Sequence, residues 1–288
     1  MENKLSRMSL FLLMLIALAF LFPLIITVTN SFMSEEEISL NYDTALSAFD
    51  FIDGITERFI PLRLIPREAT LSQYHAVLFE QPMFLVLLLN SIRITAPVVF
   101  GSLAIALLSA YGFTIWQWKH KEILFFIYVV VMLMPLQAVL VPNFIVANWL
   151  GINQGHSAII MPGIFAPFGT FLLRQVMKGI PESCFEAACI DGAGELSTFL
   201  FIILPQMKSG IAALAMLTFI EYWNVVEQAV IFLRDFTQEP LSVFLSRLSE
   251  GYTGLIFAAS VIYMVLPLLG LLLGQKHLEK GIELSGLK

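Results

Sequence analysis

Charge is what this sequence has least of. Asp, Glu, Lys and Arg make up 13% of its 288 residues, whereas hydrophobic residues make up 58% and the mean hydropathy is +0.83. Soluble domains carry about a quarter charged residues and need them to cover their surface. A soluble globular protein is therefore excluded. Cysteine is equally scarce, with Cys184 and Cys189 the only two. Two thiols five positions apart on one helix close no disulfide framework and leave a zinc ion short of ligands. The four histidines (His75, His120, His156 and His277) are scattered, and neither H-E-x-x-H nor G-x-S-x-G occurs. A Gly-Lys dipeptide is also missing, and with it the G-x-x-x-x-G-K-[ST] loop that cradles the phosphates of ATP. The chain is expected to hold no metal, no cofactor and no catalytic residue.

Long apolar runs are what it has instead. A bilayer-spanning helix needs about 20 mostly apolar residues. Six runs meet that length, at 9–29, 84–115, 123–150, 157–176, 210–233 and 255–275. Lys4 and Arg7 precede the first, as in a secretory signal. A signal's apolar region spans only roughly 7–15 residues and ends at a small-residue cleavage site. This run is longer and is followed by Asn30-Ser31-Phe32, so it reads as an uncleaved first span.

Six spans put both termini on one side, and the basic residues say which. With the N-terminus inside, ten Lys and Arg residues fall in cytoplasmic segments: Lys4, Arg7, Lys119, Lys121, Arg174, Lys178, Lys208, Lys276, Lys280 and Lys288. Five (Arg58, Arg63, Arg67, Arg234 and Arg247) fall outside, and Arg93 lies within a span. The positive-inside rule favours this orientation. The expected fold is all-α, a polytopic membrane protein of six transmembrane helices with both ends cytoplasmic. A cytoplasmic N-terminus covers 1–8 and the first helix 9–29, followed by an acidic external loop at 30–83. Residues 84–275 form a five-helix core, and 276–288 a cytoplasmic tail. The external loop carries nine acids (Glu35, Glu36, Glu37, Asp43, Asp50, Asp53, Glu57, Glu68 and Glu80) against three arginines. It reads either as a solvated connector or as a docking surface for an external partner.

The connection between the fourth and fifth spans, at 179–205, is far longer than a turn requires. Two short helical patterns flank Asp191-Gly192-Ala193-Gly194. Pro181 suits a first helical position, and Glu182 the positive end of that helix. Gly192 can take a positive φ and so reverse the chain sharply. Asp191 can accept hydrogen bonds from nearby backbone amides. Ala187, Ala188 and Ala193 keep the surface thin enough for another protein to come close. The segment is a helix–turn–helix knob facing the cytoplasm.

In order and spacing, Glu186-Ala187-Ala188-x-x-Asp191-Gly192-Ala193, with Phe199, Ile202 and Leu204-Pro205, resembles the EAA loop of binding-protein-dependent ABC importer permeases. Asn90-Ser91, Ala110-Tyr111-Gly112-Phe113, Met134-Pro135 with Pro142, Phe171-Leu172-Leu173-Arg174, Trp223-Asn224 and the tail around Lys280-Gly281 are similar to the maltose-type sugar permeases among them. The likeness covers about 84–288. Ser209 stands where a proline is common, and Glu221-Tyr222 where small residues are frequent. The resemblance implies that Glu186, Ala187, Ala188, Asp191, Gly192, Ala193 and Pro205 couple the chain to a cytoplasmic ATPase. It also implies a second permease subunit (a different chain), two ATPase copies holding ATP and Mg, and an extracytoplasmic solute-binding protein. Substrate would be a carbohydrate, with oligosaccharides leading, and the setting a bacterial or archaeal cytoplasmic membrane. No nucleic acid is expected.

Polar groups inside spans are costly in lipid and so face other helices or a wet cavity. Asn90, Arg93, Glu221, Tyr222, Trp223 and Asn224 are the candidates for the translocation path, with Glu227 further out. Four consecutive helical residues cannot all face one cavity, so at most two or three of 221–224 can line it. Pro135 and Pro142 each remove a hydrogen bond from the third span, giving either a gate or hinge, or static curvature. The chief rival is an ion-coupled secondary transporter, which would use the same buried charges as a relay.

Overall fold

The computed structural model describes residues 2–43, 64–153, 155–247 and 253–284. Of the sequence-based expectations, those on Asp50, Asp53, Glu57, Arg58, Arg63 and Lys288 lie outside the described residues. All regular structure in the described residues is helical: α1 (Glu2–Asn30), α2 (Pro82–Ile115), α3 (Lys121–Met132), α4 (Leu136–Trp149), α5 (Ser157–Ile164), α6 (Pro167–Met177), α7 (Glu182–Ile190), α8 (Glu195–Gln206), α9 (Lys208–Trp223), α10 (Glu227–Phe232), α11 (Leu241–Arg247) and α12 (Thr253–Leu284). Among the described residues, four stretches are long and apolar enough to cross a membrane: Ser9–Asn30, Pro82–Ile115, Ser157–Met177 and Gly254–Gln275. Two bent pairs, α3 with α4 and α8 with α9, bring this to six if each pair is one span.

These breaks correct the sequence-based spans. The third expected span is not one kinked helix, because α3 and α4 meet at 106°. Pro135 is the cause. It stands at the N-cap of α4 in an extended conformation (φ −65°, ψ 146°) and has no N–H to continue α3. Pro142 sits inside an unbroken α4 and starts no second break. The fifth span stops at Trp223 and resumes at Glu227, so Glu221 lies in a last helical turn and not at mid-helix. The knob segment runs into the membrane-length pair, since α8 and α9 meet at 74° around Met207.

The described residues divide into two units. The first comprises 1–86 and 244–265. Here the apolar side chains of α1 are exposed from Leu10 to Ile25, as suits a helix whose solvent is lipid. Its end is pinned by polar contacts. Ser31 Oγ and Tyr74 Oη are 2.7 Å apart, the Asn30 amide donates to Tyr42, and the Thr70 N–H donates to the Phe32 carbonyl at 2.8 Å. Glu37 is buried, and its carboxylate accepts the Arg67 N–H at 3.1 Å. Residues 35–43 and 72–80 of the acidic loop are thus helical turns held to the end of α1.

The second unit comprises 87–243 and 266–288. It has two apolar cores. One gathers Ile94 and Val98 of α2, Leu140 of α4, Ile159 of α5, Tyr222 of α9 and Phe232 of α10. The other gathers Ala106 and Ala110 of α2, Leu172 and Val176 of α6, Ile203 of α8 and Leu214 of α9. Both α2 and α9 run unbroken from one core to the other. At Gly163 of α5 there is no room for a side chain, because a Cβ would lie 2.7 Å from the Tyr222 hydroxyl and 2.8 Å from Val98.

Candidate coupling knob and translocation surface

The knob is built from α7, the turn at Asp191–Gly194 and α8. Pro181 immediately precedes α7, where its carbonyl accepts the Cys184 N–H at 3.0 Å. Gly192 has φ +72°, and the Ala193 N–H reaches back to the Ala188 carbonyl at 3.0 Å while the Asp191 N–H bonds Ala187. This six-to-one closure with a left-handed residue is the Schellman end of a helix. The expected role of the Asp191 side chain needs correcting. Asp191 is exposed, the residue before α8 is Gly194, and α8 has no side-chain cap, so the turn is closed by backbone alone.

Glu186, Ala187, Asp191, Gly192 and Pro205 are exposed, Ala193 is half-buried, and Ala188 is buried. Ile190 is 86% exposed and Leu196 70%, one on each side of the turn. Glu182, Glu186, Asp191 and Glu195 surround them in the sequence and are all exposed. An apolar tip with a carboxylate rim is the form of a surface that plugs into an apolar socket edged with basic groups. A cleft of about 890 Å³ runs beside it, lined by Thr114, Ile115 and Gln117 of the α2 end and by Met177, Ile180, Phe185, Glu186 and Ile190 among others.

The candidates for the path separate into two groups. Asn90 is 2% exposed, and its amide donates to the carbonyls of Thr237 at 2.8 Å and Glu239 at 3.1 Å. Beside it, Ser91 Oγ accepts the Leu241 N–H at 2.9 Å. Asn90 is thus a strut for the segment before α11, and it has no amide hydrogen to spare for a solute. Tyr222 (5% exposed) and Trp223 (1%) are core side chains, the second stacked on Phe219 at 5.4 Å. Tyr222 packs into the core that α9 shares with α2, α4, α5 and α10, so its ring faces other helices. Arg93, Glu221 and Asn224 are exposed.

One polar contact joins helices that the sequence gave no reason to pair. Gln137, the second residue of α4, donates from Nε2 to both carboxylate oxygens of Glu227, the first residue of α10, at 3.3 and 3.1 Å. Each lies just past a helix break. Phe144 and Phe232 stack at 6.0 Å further along the same two helices. A lone amide in an apolar run carries no spacing signal, so Gln137 could not be singled out beforehand.

Comparison with known proteins bears on most of the chain. The family described as binding-protein-dependent transport system inner membrane component matches residues 102–284. The arabinooligosaccharides transport system permease AraQ of Halalkalibacterium halodurans is 26% identical over 276 residues, covering 95% of this chain and 93% of that one. The polygalacturonan/rhamnogalacturonan transport system permease YtcP of Bacillus subtilis is 27% identical over the full length of both. The osmoprotective compounds uptake permease GgtD of Synechocystis is 30% identical over 211 residues, 69% of each chain. A chain of a bacterial ABC transporter involved in import of the acidic polysaccharide alginate shares the fold, with a TM-score of 0.77 over 96% of both chains at 23% identity. These likenesses favour a permease over an ion-coupled carrier. The chain belongs to the family of binding-protein-dependent transport system inner membrane components, and is a transport subunit, not an enzyme.

Proposed function

We propose that this chain is the membrane-spanning permease subunit of an ABC importer for a carbohydrate, an oligosaccharide first among the candidates. It spans the membrane six times with both ends in the cytoplasm and forms half of the translocation pathway. A second, different permease subunit forms the other half. Two copies of a cytoplasmic ATPase, which hold ATP and Mg, dock on the knobs, and an extracytoplasmic solute-binding protein delivers the substrate. What carries the reading is the exposed knob with its apolar tip and carboxylate rim, in a chain whose family consists of such subunits. Its sugar-permease relatives and the ten-to-five inward bias of basic residues support the substrate class and the orientation.

Mechanistically, closure of the ATPases on ATP pushes the knobs, and rigid helices carry the displacement into the spans. Pro135, at the 106° break between α3 and α4, is the hinge or gate of the third span. Pro142 stiffens and curves α4 beside it. Exposed Arg93, Glu221 and Asn224 line the pathway, because such groups do not face lipid.

The test is to express the chain with its neighbouring ATPase and to compare it with Gly192→Pro and Ala187→Asp. Unaltered permease should retain the ATPase through purification and support uptake, and both variants should insert normally yet lose both properties. Normal uptake by both variants would overturn the coupling role of the knob.

A further inference from the structure

The geometry points to Arg174 as a positioning residue of the transport cycle, a pin that fastens the root of the knob to the ends of two other helices. The inference rests on the coupling role proposed above for α7 and α8. Arg174 lies in the last turn of α6, whose end leads through Lys178–Pro181 into α7. It is the largest ionic side chain in the core of its unit, 2% exposed.

Its guanidinium ties its own helix to two others at once. Nε donates at 3.2 Å to the carbonyl of Phe113, which is among the last four of α2 and so lacks an intrahelical donor. Nη2 donates at 2.6 Å to the carboxylate of Glu122, in the first turn of α3. The planar group lies 3.8 Å from the centroid of Phe125, also of α3. Phe125 in turn meets Phe113 edge-on at 5.5 Å and stacks on Phe171 of α6 at 6.3 Å. Lys121 adds a second cation to the same helix end, donating to the Thr114 carbonyl at 3.4 Å.

Stability alone is a poor reason for this arrangement. Glu122 is 67% exposed, and solvent weakens a pair of that kind. Buried ionic groups can often be replaced by apolar ones with no loss of stability. What the fork does uniquely is fix direction. Two hydrogen bonds and one ring face, set by a single rigid plane, hold α2, α3 and α6 against rotation. A push on the knob then moves all three helix ends together, and the α3–α4 break beyond them receives it. A lysine has one point charge and cannot hold an end carbonyl, a carboxylate and a ring face together.

The experiment uses the assembled importer in proteoliposomes and measures solute moved per ATP hydrolysed, together with the amount of ATPase retained. Arg174→Lys and Glu122→Gln should keep the ATPase bound and hydrolysing. Transport per ATP should fall roughly fivefold or more, the low end of what coupling between sites carries. The double variant should be no worse than the more severe single one, because both break one link. Unchanged transport per ATP in either single variant, or a loss that merely tracks the amount of assembled complex, would overturn the pin. If Arg174→Lys fails to assemble, Glu122→Gln decides alone, since its side chain is largely exposed. Failure of the unaltered chain to retain any ATPase would instead overturn the coupling reading on which the pin depends.

Discussion

Gln137 and Glu227 hold two interrupted helices side by side, through a side-chain amide that donates to both oxygens of one carboxylate. Each residue sits just past the break in its own chain segment, after Pro135 in one case and after Val226 in the other. A hydrogen bond to a charged acceptor contributes about 1.5–3 kcal/mol when shielded and less when exposed, as here. Gln137→Glu replaces it with two facing carboxylates, so initial uptake rates should drop about tenfold, whereas Glu227→Gln keeps an acceptor and should lose only about twofold. Equal uptake in the two variants would show that the bond does not matter to transport.

The Gly192 turn gives a sharper comparison. A Cβ at this position would meet nothing within 4 Å, so any penalty is conformational and not steric crowding by neighbours. A left-handed conformation costs most L residues about 1–2 kcal/mol, β-branched ones more and asparagine less. Gly192→Asn should therefore retain most of the ATPase in a pull-down, and Gly192→Val little of it. Binding at the Gly level by the valine variant would contradict a turn-dependent knob.

Gly163 supplies the opposite case, where space is everything. An alanine there would press on Tyr222 and Val98 at under 3 Å. Overpacking of this kind costs about 1–3 kcal/mol. The detergent-solubilised subunit should melt lower with Gly163→Ala, and Tyr222→Leu in the same chain should recover part of the loss. Additive destabilisation by the two changes would mean that the contact is not the cause.

Much of the architecture was legible because lipid imposes a simple length rule. Five of the six apolar runs coincide with helices or bent helix pairs, whereas the fifth, 210–233, crosses the break after Trp223; the turn at 191–194 reverses at Gly192, a residue type that tolerates a positive φ. Hydropathy, however, does not distinguish a kink from a break. Pro135 and Pro142 read alike in sequence, yet only Pro135 stands at a helix boundary, extended at the N-cap of α4, while Pro142 lies inside α4. Tyr222 and Trp223 looked like sugar-binding rings by residue type, but orientation about the helix axis decides between path and core, and α9 turns them inward. Asn90 carries no pattern that reveals its true partners, since the carbonyls it bonds lie about 150 residues away in sequence. Arg174 was visible as a positive charge on the inner side and as the end of the Phe171–Arg174 motif, with no sign of its partners. Its three contacts depend on where α2 and α3 end.

The account stands or falls on which side of the membrane the tip of the knob occupies. Asp191→Cys, in a chain with Cys184 and Cys189 replaced by alanine, can be labelled with a membrane-impermeant maleimide in inside-out and right-side-out vesicles. Labelling in inside-out vesicles alone, and its suppression when the ATPase is co-assembled, is the expected result. Labelling from the external face would contradict the orientation, the docking of the ATPase and the coupling mechanism together.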